Sequence, residues 1–244
     1  MASNTKTMAE DTPPRSEDRH GTLPKWNLTL LMPDRYSSAI VTITVGTDSP
    51  KKFYIHENIL KASSPFLTAV LNKRWSEGKA MEVALPDDEA PVFAIYADWL
   101  YQKTICARFE AKPEMTKNDH DEEWTSLSKL YVLAEKIQDD ECCDATMSRM
   151  IKRVEDPDAN GSCWYPSGIT ATRLYDGTLP GAPVRKFLVE VHRAKGKSKW
   201  IPEASECNHI EFLADLVKVL LDDRTVKSAD NCFSSRKKEF LKKG

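Results

Sequence analysis

The chain has 244 residues, with 35 Lys and Arg against 37 Asp and Glu, a net charge of −2 and a pI near 6.2. Such a balance gives no global field to recruit nucleic acid or an anionic membrane. An apolar share of 41% suits one or two domains with a buried core and polar ends, and no apolar run nears the roughly 18 residues of a membrane span.

Residues 1–27 are polar, with Pro13-Pro14 and many charges, and read as a disordered segment, because they bury too little apolar surface to offset ordering entropy. The amino terminus lacks the apolar core of a secretion signal, so the expected compartment is the cytoplasm, the nucleus or both. The sequons at Asn27 and Asn160 are then accidental, and the six cysteines are expected as reduced thiols. Leu28 to Met32 is a short apolar run suited to a small helix or a docked segment.

Val41, Ile43 and Val45 share one face of a β-branched strand, and Gly46 to Pro50 turns the chain back into Lys51–His56 as a hairpin. Phe53 and Ile55 alternate with Tyr54 and His56, the period of a half-buried strand. Asn58 to Ala62 reads as a short helical turn. Ser64 and Pro65 then open a second helix over residues 65–72, the serine as capping acceptor and the proline at the first position. Met81, Val83 and Leu85 form a further strand. Asp87 and Asp88 are expected to cap the next helix, with Pro91 in its first turn and Val92, Ile95, Tyr96, Trp99 and Leu100 on one face.

Residues 103–123 read as a long surface loop, acidic toward its end, in which Asp119 to Glu123 is a solvated charge run and not a metal site. Two helices follow, one with a stripe of Leu127, Leu130, Tyr131, Ala134 and Ile137, the other with Cys143, Met147, Met150, Ile151 and Val154. Asp156 to Gly161 breaks the pattern and marks a boundary. Beyond it, two helices are expected, carrying Val184, Phe187, Leu188 and Val191, then Ile210, Leu213, Val217 and Leu220, with the basic linker Lys195 to Lys199 between them.

In order and at this spacing, Tyr54-Ile55-His56-Glu57-Asn58-Ile59-Leu60, Ser63-Ser64-Pro65-Phe66, Val83 to Asp88 and Phe93 through Trp99-Leu100-Tyr101 resemble a BTB/POZ domain of the type common in filamentous fungi. The resemblance covers residues 36–155. It implies an α+β fold, a small sheet packed on a cluster of α-helical hairpins, with a helical C-terminal extension over 162–226 and a basic tail over 227–244. His56, Leu60, Ser64, Pro65, Phe66, Trp99 and Tyr101 carry its signature. The first strand departs from the family in having Ser38-Ala39 where many members place an aspartate.

No enzyme template is present: there is no G-x-S-x-G, Walker A loop, H-E-x-x-H or Rossmann fingerprint, so neither catalysis nor a cofactor is expected. Cys142-Cys143 and Cys207-x-His209 lack the second pair a zinc site needs. His56 is read as a structural histidine at the strand-to-helix corner. The resemblance implies protein partners: a second copy through the BTB face, together with a cullin scaffold of a ubiquitin ligase. Members that recruit a cullin often carry a hydrophobic-x-Glu triplet that Trp75-Ser76-Glu77 matches, and Phe66 and Val70 join it as candidate partner-binding residues. The alternative is a nuclear regulator that assembles through the BTB unit and contacts chromatin through the basic tail, without a zinc finger, homeodomain or basic zipper to read DNA.

Overall fold

The structure is a computed structural model, and it describes residues 36–78, 80–106, 116–155, 157–158, 161–200 and 209–222. The expectations for residues 1–27, Leu28 to Met32, Asn160, Cys207 and the tail from 227 lie outside them.

Strands β1 (Ile40–Val45) and β2 (Lys51–His56) form the expected antiparallel hairpin, with Ile40 opposite His56 and Val45 opposite Lys51. Gly46 sits at φ 87°, a conformation that favours glycine, and starts the turn. Strand β3 (Glu82–Leu85) joins the other side of β1 in parallel, giving the order β2-β1-β3. A parallel partner requires a crossover, supplied here by helices α1 (Glu57–Ser63) and α2 (Pro65–Ser76). Val41, Ile43, Val45, Ile55, Val83 and Leu85 turn one face of this sheet into the core. The described residues are thus mixed α+β, mostly helical, with a small three-stranded sheet.

Helix α3 (Ala90–Gln102) buries Val92, Ile95, Tyr96, Trp99 and Leu100, as their spacing predicts. Its cap differs from the expectation. Glu89 holds the N-cap position without a side-chain bond, while Asp88 pairs with Lys136 at 2.7 Å and Glu89 with Lys129 at 2.5 Å. Both carboxylates thus tie the start of α3 to helix α4 (Lys117–Ile137).

Helix α4 corrects the largest misreading. Where a loop is expected over 103–123, the chain is helical from Lys117, and the hydroxyl and backbone of Thr116 form a reciprocal capping box with Asp119. The supposed charge run is therefore the first two turns of a helix, and two of its members, His120 and Glu123, are buried. Further along, Leu127, Leu130, Tyr131, Ala134 and Ile137 are buried as predicted.

Helix α5 (Asp140–Glu155) starts where the Asp139 carboxylate accepts bonds from the Cys142 N–H at 2.9 Å and the Tyr96 hydroxyl at 3.0 Å. Burial raises the Asp139 pKa, and these two bonds oppose the rise. The buried face of α5 is Cys142, Cys143, Thr146, Met150 and Arg153. Ile151, assigned to the core stripe by periodicity, instead lines an open cleft.

Helix α6 (Gly168–Asp176) was not expected at all, although Ser167 caps it and Ala171, Leu174 and Tyr175 are buried. Helix α7 (Pro183–Lys195) buries Val184, Leu188 and Val191, with Phe187 partly covered. Within the basic linker a single 3-10 turn runs over Ser198–Trp200. In helix α8 (Ile210–Asp222) the buried residues are Phe212 and Leu216, whereas the predicted Ile210, Val217 and Leu220 face outward. The described residues all belong to one compact unit. Helix α6 lies close against α4, for a Cβ on Gly177 would overlap the Val132 methyls.

Ser64 is the joint between the α2 start and the α4 end. Its hydroxyl oxygen accepts from the Leu67 N–H at 2.9 Å, and its proton is donated to the Ile137 carbonyl. Replacing Ser64 by Ala leaves both buried groups unmatched and is expected to cost about 1–3 kcal/mol in urea unfolding. A loss below a few tenths would show the joint to be inert. Burial, reinforced by the nearby Asp139 carboxylate for Cys142 and by Glu135 for Cys143, pushes both thiols well above the ordinary range. Iodoacetamide at pH 8 is therefore expected to label exposed Cys106 while sparing Cys142 and Cys143 until the chain unfolds. Equal labelling by mass spectrometry would contradict that assignment.

Candidate functional site

The candidate partner-binding residues lie on α2, and the helix places them on two sides. The expectation stopped this helix at residue 72; it continues to Ser76, since Lys73, Arg74 and Trp75 are compatible with helix and the first break is Gly78 at φ 64°. Glu77 is the C-cap, its N–H bonded to the Lys73 carbonyl at 3.2 Å. Trp75 is 66% exposed in the last turn.

At about 100° per residue, Phe66, Val70 and Glu77 share one side of α2, while Trp75 lies roughly 180° from Phe66. Trp75 and Glu77, two positions apart, do not face each other. Phe66 and Val70 are half-buried against the core, so the side they occupy offers apolar edges and not whole side chains. Trp75 is the one large aromatic of the set that stands in solvent. A partner's groove that closed over it would remove more apolar area than any other member of the set could supply.

The signature residues hold the corner beneath. His56 Nδ1 lies 2.9 Å from the Tyr101 hydroxyl, which also accepts the His56 backbone N–H at 3.3 Å. The His56 ring is thus met by a side chain from α3. Tyr36 stacks on Tyr101 with ring centroids 6.3 Å apart and meets His56 edge-on. Leu60 is buried, and Trp99 carries the Lys103 ammonium 4.7 Å from its ring centroid.

A second cluster escaped the sequence reading. Glu123 takes Arg149 at 2.5 Å and Arg153 at 3.1 Å. The Arg153 guanidinium also reaches His120 Nδ1. Because arginine has only donors, that ring nitrogen accepts, which places the ring proton on Nε2, 3.7 Å from Asp158. The His120 ring stacks on Trp164 at 4.0 Å between centroids. The Trp164 indole donates to Asp158 at 2.8 Å, and its carbonyl accepts from Trp124 at 3.3 Å. The signal was present in Thr116-x-x-Asp119: read as a capping box, it puts His120, Glu123, Trp124 and Leu127 on one helical face.

This cluster joins the α4 start, α5 and the chain beyond the Asp156 break, and its groups bond to one another. Among the described residues no group of three or more His, Cys, Asp or Glu converges as a metal site, and no helix is long and apolar enough to cross a membrane. A cleft of about 600 Å³ opens between α5 and α7, lined by Ile151, Val154, Phe187 and Val191 with Glu190 and Lys195.

The cluster has a definite energetic signature. Glu123→Ala strands the Arg153 guanidinium in the interior and is expected to cost about 3–5 kcal/mol. Adding Arg153→Met, which removes the stranded charge and keeps the volume, is expected to recover much of that loss. Additive losses in chemical denaturation would show that the two side chains act independently.

No protein-family model matches the chain, and no curated protein matches it at a significant level. Among solved structures, it is similar to the BTB domain of zebrafish PATZ1, with 16% identity and a TM-score of 0.33, over 46% of this chain and 75% of that one. Likeness at that level fixes neither a fold family nor a function.

Proposed function

We propose that the chain is a non-enzymatic protein-interaction module of BTB/POZ type, fungal in character, acting in the cytoplasm or nucleus. In this reading it presents a bound client to a cullin scaffold of a ubiquitin ligase. Support comes from the ordered run of signature segments together with a hairpin, two helices, a crossover strand and a helix in the same succession. The observation that carries the partner site is Trp75, 66% exposed in the last turn of α2. An aromatic ring held on a fixed helix loses little entropy when a partner's groove closes over it, which is the usual condition for an anchoring residue.

Glu77 stands on another side of the helix end, so its contribution is a rim contact that sets approach and not a share of the same pocket. The two residues are therefore expected to behave unequally. In pull-down with the amino-terminal domain of a cullin, Trp75→Ala is expected to reduce capture by about tenfold or more, and Glu77→Ala by a few-fold that fades at higher salt. Capture by Trp75→Ala equal to wild type, or no capture of the wild-type chain, would reject this site.

A further inference from the structure

Helix α8 is held by one stripe and displays another. Phe212 and Leu216 are buried, so this 13-residue helix, too short to be stable alone in water, is fixed by its own core. On the opposite side Ile210, Val217 and Leu221 are 80%, 51% and 54% exposed, and Leu220, between the two faces, is 46% exposed. Ile210, Ala214, Val217 and Leu221 recur at spacings of four, three and four, the seam of a two-heptad helix pair. We infer that α8 is a self-association surface, pairing antiparallel with α8 of a second copy of this chain.

Three properties single out a second copy in this orientation. The seam is self-complementary about its midpoint between Ala214 and Val217. Antiparallel pairing sets small Ala214 opposite Val217 of the other copy at the middle of the seam, and Ile210 opposite Leu221 at each end, where two large aliphatic side chains meet. The flanks sort by character as well. Glu211 and Lys218 border the seam on one side, Leu213 and Leu220 on the other.

Antiparallel pairing brings like flanks together, so Glu211 meets Lys218 of the other copy twice, and the leucines meet each other. A parallel pair would instead lay the leucines against the charges. In the single copy Glu211 receives Arg185 at 2.7 Å and Lys218 holds Asp215 at 3.1 Å, so pairing re-aims both side chains across the seam. The third property is area. Ile210, Val217 and Leu221 are the large exposed side chains of the seam, a patch smaller than a standard interface, which implies a weak dimer.

This inference uses no part of the α2 site and stands apart from the proposed adaptor role. Sedimentation of the full chain from about 1 to 200 μM, a range that brackets a micromolar constant, tests it. Wild type is expected to pass from monomer to dimer. Val217→Glu, at a half-exposed position with native circular dichroism as the check, is expected to remain monomeric. Lys218→Glu, which sets acid against Glu211, is expected to weaken the dimer about tenfold, and adding Glu211→Lys to restore it. Should Val217→Glu fail to fold, the charge pair of variants decides alone. A wild-type monomer throughout, a dimer indifferent to Val217→Glu, or no recovery in the double charge variant would overturn the proposal.

Discussion

The two-sided burial of α4 is the constraint on which the remaining structure depends. A helix of 21 residues with ten of them buried cannot be satisfied by one neighbour. Its core stripe closes on α3 and α5, while Val132 and Ser128 meet α6, where Arg173 donates to the Ser128 hydroxyl at 2.9 Å. At its amino end the carboxylate of Glu123 is surrounded by two guanidinium groups. At its carboxyl end the Ile137 carbonyl is matched by Ser64. Both ends are therefore fixed by groups that lose heavily if left alone in a dry interior.

This arrangement explains why the break at Asp156 does not separate two independent bodies. The residues just past it, Asp158 and Trp164, complete the polar cluster begun by His120 and Arg153. Helix α6 then returns to α4, and Arg185 of α7 bonds the Tyr175 carbonyl at 2.7 Å while its guanidinium lies 4.5 Å from the Tyr175 ring. Helix α8 meets that ring edge-on through Phe212. The C-terminal helices thus share a core with the sheet-bearing half, which gives both exposed helical surfaces, the Trp75 end of α2 and the outer seam of α8, a rigid support.

Periodicity read the sheet hairpin, α3 and the inner face of α4 because each pairs a regular apolar stripe with unambiguous turn chemistry. It failed where burial is polar. His120 and Glu123 sit among other charges, and composition alone makes such a run look solvated until the capping box fixes its helical phase. Helix α6 was missed because nine residues with Gly168 and two threonines carry a weak propensity, and its burial comes from contact with α4. In α8 the stripe was found and assigned to the wrong side, since a helix apolar on two faces gives no phase from sequence alone. For the site, the sequence located Trp75 but placed it beyond the helix, which hid its angular separation from Glu77.

Native-state hydrogen exchange, followed by peptide across rising denaturant, bears most directly on the role of α4. The account predicts that amides of β1, α4 and α7 open with the same free energy and the same denaturant slope, as one cooperative unit. Exchange of α6 and α7 orders of magnitude faster than β1, with β1 still protected, would contradict it.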